Sequence, residues 1–228
     1  MSINIAIDGP AGAGKSTIAK KVAKNRGYIY VDTGAMYRAM ALFLLREKIE
    51  ASDTAAIEAA CERADISIAY QNGEQVVLLN GENVNAFLRT EEVGNMASAS
   101  SVNGKVRAKL QQLQQKLAAS ADVVMDGRDI GTSVLPNADV KIYLTAGSLV
   151  RAKRRYAELV AKGEEADIEK IEADIIERDH RDMTRELNPL CQAEDAVLVD
   201  SSDMTIEEVV ACLDDIISRK ISDRIGAI

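Results

Sequence analysis

The segment INIAIDGPAGAGKST, residues 3–17, decides the fold of the N-terminal part of the chain. It opens with a short run of apolar, mostly β-branched residues, which is typical of a buried strand. It continues with the spacing G-x-x-x-x-G-K-[ST], whose defined positions are Gly9, Gly14, Lys15 and Ser16. A helical pattern follows directly. A strand, this turn and a helix in that order predict a loop whose backbone N–H groups surround phosphates, and they make a chance glycine-rich turn a poor alternative.

This P-loop predicts a site for a nucleoside triphosphate. In such loops the lysine reaches the β- and γ-phosphates, the role we predict for Lys15, and the following hydroxyl, here Ser16, is placed for Mg²⁺. The chain contains no N-K-x-D run of the kind that reads guanine in a GTPase. With 228 residues it is also short for a motor or a large ATPase. A kinase for a small molecule is therefore the favoured class.

The composition narrows the class of protein further. The residues are 47% hydrophobic and 28% charged, which predicts one compact globular domain. The net charge of −8 argues against a nucleic-acid partner. Three separated cysteines and one histidine argue against a disulfide framework and a zinc site. Because we find no signal-peptide pattern and no apolar run of about 18 residues, we expect a cytoplasmic protein without membrane contact, and we take it to be a monomer.

Five short apolar runs predict a parallel α/β sheet, because strands buried on both faces and alternating with helices are typical of such sheets. The predicted strands are Ile3–Ile7, Tyr28–Val31, Val123–Met125, Val140–Leu144 and Ala196–Val199. The predicted helices include Ser16–Arg26, Ala35–Lys48 and Asp53–Ala64, and the charged segment 162–167 is predicted to be a loop between two helices.

One region departs from this alternation. Asn72-Gly73 separates the apolar runs Ile66–Tyr70 and Gln75–Leu79, and such a dipeptide is a strong signal for a β-hairpin. We therefore predict a small antiparallel insert between about Ile66 and Ala86.

Two charged segments follow predicted strands. In the first, DTGAMYR at residues 32–38, Thr33 is predicted to cap the next helix and Arg38 lies at the edge of its buried face. An arginine that reaches from a core helix into solvent explains Arg38 equally well. In the second, DGRD at residues 126–129, two carboxylates and Arg128 stand at the carboxyl end of a strand, where ligands bind in open α/β sheets. A charged turn with internal ion pairs is the alternative there.

Helical spacing along residues 168–185 places isoleucines and then charged side chains on one face. This stripe consists of Ile168, Ile171 and Ile175, followed by Arg178, Asp182 and Arg185. Charges on an inward face need partners, and an anionic ligand would supply one. The alternative is a solvated last turn in which Arg178 and Asp182 pair with each other.

A basic run, Arg151, Lys153, Arg154 and Arg155, begins the helix after the fourth predicted strand. A flexible basic segment near a P-loop can close over phosphates. Taken alone, the spacing fits a solvated charged helix face better.

Together these segments resemble the bacterial cytidylate (CMP) kinases, a branch of the P-loop nucleoside monophosphate kinases. The resemblance covers essentially the whole chain. It rests on the motifs IDGPAGAGKST, VDTGAMYRA, DGRDIGT with VLPNADVKIYL after it, and ERDHRDMTR followed by NPL. The P-loop is common to many families, whereas DTGAMYR and DGRDIGT in this order are far more specific.

The resemblance implies an α/β fold with a parallel five-stranded P-loop core sheet flanked by helices, a small antiparallel NMP-binding insert and a helical lid. Within a single kinase domain over residues 1–228, the core would comprise 1–65, 101–150 and 190–228, the insert about 66–100, and the lid about 151–189.

The resemblance also implies roles for individual residues. ATP would bind, with Mg²⁺ near Ser16, through Gly9, Pro10, Ala11, Gly12, Ala13, Gly14, Lys15, Ser16 and Thr17. The acceptor would bind through Thr33, Arg38, Ser98, Arg107, Arg128, Asp129, Arg178, Asp182 and Arg185. The residues expected to take part in catalysis are Lys15, Arg128, Arg154, Arg155 and Arg185, with Arg154 and Arg155 in a mobile lid.

Within the acceptor set, Arg38, Arg128 and Arg185 would hold the CMP phosphate, and Arg178 and Asp182 would lie near the ribose. Arg107, Asp129 and Ser98 would face the cytosine, although Ser100 and Ser101 lie close to Ser98. Helical spacing by itself places Arg107 on the surface.

The implied reaction moves the γ-phosphoryl group of ATP to CMP or dCMP, giving CDP or dCDP and ADP, as part of pyrimidine nucleotide metabolism. Its nucleophile is an ionised phosphate oxygen, so no general base is required. The rival hypotheses are a kinase for another acceptor, such as UMP or shikimate, and a nucleotide-dependent switch that acts through a partner. A third alternative is that the helix-rich second half serves as an interaction surface.

Overall fold

The computed structural model describes residues 2–226, which form two compact units. The first unit contains Ile3–Tyr28 and the chain from Val123 onward, and the second contains Ser2 and Ile29–Asp122. Five strands belong to a parallel sheet, as predicted. No helix in the described part of the chain has the length and apolar character of a membrane span.

The first unit has a parallel sheet at its centre. Its strands are β1 (Asn4–Asp8), β6 (Val123–Gly127), β7 (Val140–Thr145) and β8 (Val197–Asp200). Their spatial order is β6-β1-β7-β8. The inner strands are almost wholly buried, which explains their continuous apolar sequence. Asp8 lies opposite Gly127 on one side and Tyr143 on the other, so the carboxyl ends of three strands meet at one edge.

Four helices and one π-helical turn complete the first unit. They are α1 (Lys15–Arg26), the turn Ile130–Val134, α6 (Ser148–Ala161), α7 (Ile168–Thr184) and α8 (Ile206–Gly226). Gly27 ends α1 in the left-handed conformation, with its N–H bonded to carbonyls of the last turn. Asp167 begins α7 by accepting hydrogen bonds from the N–H groups of Glu169 and Lys170. The segment between α6 and α7 is the predicted loop.

The second unit combines one further strand with four helices, a short 3₁₀ turn and an antiparallel sheet. Its elements are β2 (Ile29–Asp32), α2 (Thr33–Arg46), α3 (Thr54–Arg63), β3 (Ile66–Gln71), β4 (Glu74–Leu79), β5 (Glu82–Asn83), the 3₁₀ turn Asn85–Phe87, α4 (Glu91–Ser100) and α5 (Gly104–Ser120).

The predicted hairpin is confirmed. Strands β3 and β4 pair antiparallel up to Gln71 opposite Glu74, and the connecting Asn72 and Gly73 have φ values of 53° and 78°. Two positive φ angles are what a two-residue turn of this type requires, and asparagine and glycine reach them at the lowest cost.

The predicted helix cap at Thr33 is wrong. Asp32 is the capping residue, because its backbone is extended and its Oδ1 accepts a hydrogen bond from the N–H of Ala35 at 2.9 Å. Thr33 is the first residue of α2 and is buried.

Candidate active site

The P-loop joins β1 to α1, and two of its glycines are required by its geometry. Gly9 has a φ of 147°, and a Cβ atom on it would lie 1.9 Å from the carbonyl oxygen of Leu144 in β7. Gly14, with a φ of 82°, turns the chain into the first turn of α1. A glycine-rich turn that leads into a helix N-terminus is an arrangement that binds phosphates.

Lys15 is buried beneath this loop, with 5% of its surface exposed, and its Nζ donates to the carbonyl of Pro10 at 2.6 Å. Burial lowers the pKa of Lys15 well below its ordinary value, and the charge of Arg128 lowers it further, against the opposite effect of Asp126 and Asp8. A cation held with so little solvent gains strongly from an anionic ligand, because charges interact more strongly where water is excluded.

Ser16 and Asp126 form an oxygen pair beside the P-loop. The Ser16 Oγ donates to Oδ2 of Asp126 at 2.9 Å, and Asp126 lies in β6 with 5% of its surface exposed. Hydroxyl and carboxylate oxygens suit Mg²⁺, which takes one or two protein ligands and completes its shell with phosphate and water. Among the described residues, no group of three or more His, Cys, Asp and Glu residues could hold a metal by itself.

Asp8, the last residue of β1, ties the P-loop to the segment that follows β6, and the sequence analysis did not single it out. Its carboxylate accepts hydrogen bonds from the N–H groups of Ile130 at 2.8 Å and Gly131 at 2.7 Å. Burial raises the pKa of Asp8 to about 6, although the two backbone hydrogen bonds act to lower it. The available signal was a carboxylate at the end of an apolar strand, directly before Gly9.

Arg128 lies just after β6 and is held by α7. Its Nε donates to Oδ2 of Asp182 at 2.9 Å, and the two side chains are 21% and 9% exposed. Burial alone would raise the pKa of Asp182, but the charge of Arg128 and its hydrogen bond, together with Arg178 and Arg185, lower it below its ordinary value.

Arg185 and Asp129 form a second buried pair, with Nη2 and Oδ1 3.2 Å apart and side chains only 5% and 7% exposed. The Arg185 Nε also donates to the carbonyl of Asn188 at 2.8 Å. The same guanidinium lies 3.9 Å from Asp182, so the two pairs form one network.

This network decides between the alternatives for DGRD and for α7. Arg128 pairs with Asp182 of α7, and Asp129 pairs with Arg185 directly after that helix. The DGRD segment is therefore not a turn whose ion pairs form among its own residues. Asp182 pairs with Arg128, so α7 does not end in a solvated turn. The predicted stripe does face inward, and Arg178 lies half-buried on it.

The four residues of the basic run lie in different surroundings. Arg155 is exposed and pairs with Glu158 one turn along α6, and Lys153 is exposed too. Arg154 is half-buried, and its Nη2 donates to the carbonyl of Ser201 at 2.6 Å. Arg151 is 5% exposed. The solvated-face interpretation therefore holds for two of the four residues.

In the second unit, Arg38 lies half-buried on α2 near the capping residue Asp32. A Cβ atom on Gly34 would be 3.1 Å from Nη1 of Arg38 and 3.2 Å from Oδ1 of Asp32, so the glycine makes room for both charged groups. Asp32 also pairs with Arg89, whose Nη2 lies 3.1 Å from Oδ2.

Arg107 is buried in the second unit, so the expectation that it lies on the surface is wrong. Only 5% of it is exposed, its Nη1 donates to the carbonyl of Ser101 at 3.2 Å, and its guanidinium lies 5.7 Å from the ring centre of Tyr37. Helical spacing could not indicate this, because the partners come from α2 and from the end of α4. Ser98 is also buried, with 9% exposed.

Similarity to known proteins extends over nearly the whole chain. The family described as Cytidylate kinase matches residues 5–219. The cytidylate kinase of Lactiplantibacillus plantarum is 48% identical over 98% of this chain and 98% of its own. That of Caldicellulosiruptor saccharolyticus is 52% identical over 91% and 92%, and that of Enterococcus faecalis is 47% identical over 96% of both.

Among solved structures, a gluconokinase from Sinorhizobium meliloti covers 99% of this chain and 97% of its own, with a TM-score of 0.52 and 14% identity. At 14% identity this similarity shows the fold alone, and that fold is consistent with the core described for this chain. With nearly half of its residues shared with cytidylate kinases from end to end, the chain belongs to the cytidylate kinase family.

Proposed function

We propose that this protein transfers the γ-phosphoryl group of ATP to CMP or dCMP, giving CDP or dCDP and ADP. The observation that carries the proposal is the network at the carboxyl ends of β1 and β6. There, the buried Lys15 of the P-loop lies close enough to Arg128 for the charge of Arg128 to lower the pKa of Lys15. Arg128 and Arg185 are each held by a carboxylate. Cations beside a P-loop suit a reaction that brings two polyanions together.

The chemistry requires positioning and neutralisation of charge more than proton transfer. The attacking oxygen belongs to a phosphate that is ionised at neutral pH, so no general base is required. The repulsion between donor and acceptor phosphates is the main obstacle, and arginines oppose it while orienting the oxygens through two N–H groups at once. Because Arg128 and Arg185 are already held by Asp182 and Asp129, little reorganisation is needed when the phosphates arrive.

We assign the donor to Gly9–Thr17, with Lys15 on its terminal phosphates. Ser16 and Asp126 would hold Mg²⁺, which neutralises phosphate charge when bound. Arg154 and Arg155 would belong to a lid that excludes water, although Arg154 is tied to Ser201 in this structure.

We assign the acceptor phosphate to Arg128 and Arg185, and to Arg38 of the second unit. Arg178 and Asp182 would bind the ribose, and Thr33 would contribute to the acceptor site. Ser98, Arg107 and Asp129 would bind the cytosine.

Cytosine would be selected through Asp129. A buried carboxylate can accept a hydrogen bond from the N4 amino group, which uracil lacks. Uracil would instead leave the carboxylate facing a carbonyl oxygen, and leaving a buried polar group without its partner is costly.

The decisive experiment measures ADP release with ATP and a panel of CMP, dCMP, UMP, AMP and GMP. We expect CMP and dCMP to give the highest kcat/KM. Preference for another acceptor would favour the rival kinase hypothesis, and slow ADP release that no acceptor stimulates would favour the nucleotide-dependent switch.

We further propose that the enzyme is a cytoplasmic monomer of pyrimidine nucleotide metabolism that binds small molecules and no nucleic acid. Light scattering on the purified protein, at concentrations used in the ADP-release assay, tests the oligomeric state. A mass of two chains or more would overturn the monomer proposal.

A further inference from the structure

Arg151 joins three segments of the first unit through one guanidinium group. Its Nη1 donates to the carbonyl of Ala11 in the P-loop at 2.8 Å, and its Nε donates to the carbonyl of Ala146, just after β7, at 2.8 Å. Its Nη2 lies 2.6 Å from Oδ2 of Asp179 on α7. The two side chains are 6% and 13% exposed. The reaction proposed above gives neither residue a role.

The contact with the P-loop is close and specific. A Cβ atom on Gly12 would lie 3.5 Å from the Cβ of Arg151, so the loop backbone packs against this side chain as well as bonding to it. The Ala11 carbonyl belongs to the turn whose N–H groups are proposed to face the phosphates. A donor that holds this carbonyl in place therefore limits how the peptide groups of the loop can rotate.

Asp179 connects this contact to the acceptor side of the network. On the same helix α7, Asp182 holds Arg128, and Arg185 directly after the helix holds Asp129. The helix is thus attached to the P-loop at one point, through Arg151, and to the end of β6 at two points. Ion pairs that tie separate segments together fix geometry even where their net contribution to stability is small.

We propose that Arg151 and Asp179 are positioning residues that set the P-loop for the donor phosphates and align it with α7. The inference rests on the proposed function for its kinetic consequences. Its structural part, the shape of the ATP-binding loop, can be tested by ATP binding alone. Neither residue needs to touch a substrate. The Arg128–Asp182 and Arg185–Asp129 pairs hold the acceptor end independently, so the defect from losing Arg151 and Asp179 should fall on the donor.

The test replaces both residues at once, as Arg151→Met with Asp179→Val. Removing Arg151 alone would leave a buried carboxylate without its cation, whereas an apolar pair of similar size is often neutral for stability. We expect a folded protein whose unfolding midpoint falls by roughly 5–15 °C, because the carbonyls of Ala11 and Ala146 lose this donor. We expect the KM for ATP to rise about tenfold or more, kcat to fall, and the KM for CMP to change by less than about threefold.

The matched control is Arg26→Met with Asp214→Val. This ion pair, 2.9 Å long, joins α1 to α8 and is also partly buried. It should leave both KM values and kcat near wild type. ATP affinity measured by calorimetry without CMP should weaken in the Arg151/Asp179 double variant and stay unchanged in the control.

The conservative variant Arg151→Lys keeps the test valid if the double variant does not fold. Lysine keeps the charge but has a single nitrogen, so it cannot reach three acceptors as the guanidinium does. We expect a smaller loss of stability than in the double variant, with a KM for ATP raised several-fold. Folded variants with wild-type ATP affinity and KM would overturn the inference, and equal increases in both KM values would also contradict it. Failure of the proposed function would appear separately, as a wild-type enzyme without CMP-stimulated ADP release.

Discussion

The inward and outward faces of α7 carry the same kinds of residue in different environments. On the inward face, Asp179 and Asp182 are buried, and each pairs with an arginine of another segment. On the outward face, Arg181 and Glu177 pair one turn apart on the same helix, at 2.7 Å, with side chains 44% and 72% exposed. Exposed pairs of this kind contribute little, whereas breaking a buried pair is strongly destabilising. Burial and connectivity, more than charge itself, should separate the residues that matter for activity from those that do not.

The largest expected effect is that of Lys15→Met. The change removes the buried P-loop cation while keeping an apolar side chain of similar length. We expect kcat/KM to fall about a thousandfold or more, since this charge is proposed to stabilise the transferring phosphoryl group. The free energy of unfolding should be unchanged or higher, because burial disfavours the Lys15 ammonium. Steady-state kinetics and urea unfolding measure the two quantities.

Lys24→Met, a change of an exposed lysine on the same helix α1, is the control for that comparison. It should alter kcat/KM by less than about twofold, as expected for surface substitutions. Equal losses in the Lys15 and Lys24 variants would remove the distinction between buried and exposed charges.

A second prediction concerns the pH dependence of stability at Asp8. Its pKa of about 6 in the folded protein exceeds the ordinary value of 3.8, so the folded state binds this proton more tightly than the unfolded state. The stabilisation from the bound proton is complete below about pH 4 and is lost as the pH rises through 6. Relative to Asp8→Asn, the wild-type unfolding free energy should therefore fall by about 2 kcal/mol between pH 4 and pH 7. Urea unfolding across this range measures the difference.

Asp182→Asn sharpens this prediction, because the pKa of Asp182 is shifted in the opposite direction, downward. The stability that the ionised Asp182 contributes is present above the unfolded-state pKa and is lost as the pH falls through the folded-state pKa. The wild-type advantage over Asp182→Asn should shrink at acidic pH. If the stability difference between wild type and variant changed with pH in the same direction for Asp8 and Asp182, the surroundings assigned to these two carboxylates would be wrong.

A third prediction is that Asp129→Ala loses selectivity for the base. The ratio of kcat/KM for CMP to that for UMP should fall about ten- to a hundredfold, because the proposed acceptor for the cytosine amino group is removed. Asp129→Asn should raise the relative use of UMP, since an amide can donate to the uracil carbonyl. ATP affinity should change little in both variants. A uniform loss of activity with an unchanged CMP-to-UMP ratio would argue against this role.

The smallest expected effect is that of Glu177→Gln on the outward face of α7. Breaking its exposed pair with Arg181 should change the free energy of unfolding by less than about 0.5 kcal/mol and leave kcat/KM unchanged. Denaturant unfolding and the ADP-release assay check both values. A loss as large as that of the buried variants would mean that this face is covered by a partner.

Local patterns predicted the parts of this protein that depend on near neighbours in the chain. The sequence correctly predicted four such features, because each depends on turn chemistry or helical spacing within a few residues. They are the P-loop, the hairpin at Asn72-Gly73, the loop after α6 and the inward stripe of α7. The inward position of Asp182 and Arg185 followed from the same spacing. The family resemblance added residue roles that spacing could not supply.

Arg107, Arg151 and Asp8 depend on contacts with other segments of the chain, which helical spacing does not reveal. Arg107 is buried by contacts with Tyr37 and the end of α4, and Arg151 by the P-loop and α7. Asp32 rather than Thr33 caps α2. Aspartate and threonine both cap helices, so the sequence alone does not show which of these two adjacent residues takes the position. Asp8 gained its partners only because β1 and β6 end side by side.

The sequence by itself determined where a phosphate-binding loop forms, which runs become strands, and that one helix turns charged residues inward. These features depend on backbone sterics and short periodicities, which act locally. The tertiary structure alone decided which arginine pairs with which carboxylate, which member of the basic run is buried, and which carboxyl pKa values are raised or lowered. Those properties depend on exclusion of water and on distances between segments that are tens to more than a hundred residues apart, and no local pattern encodes them.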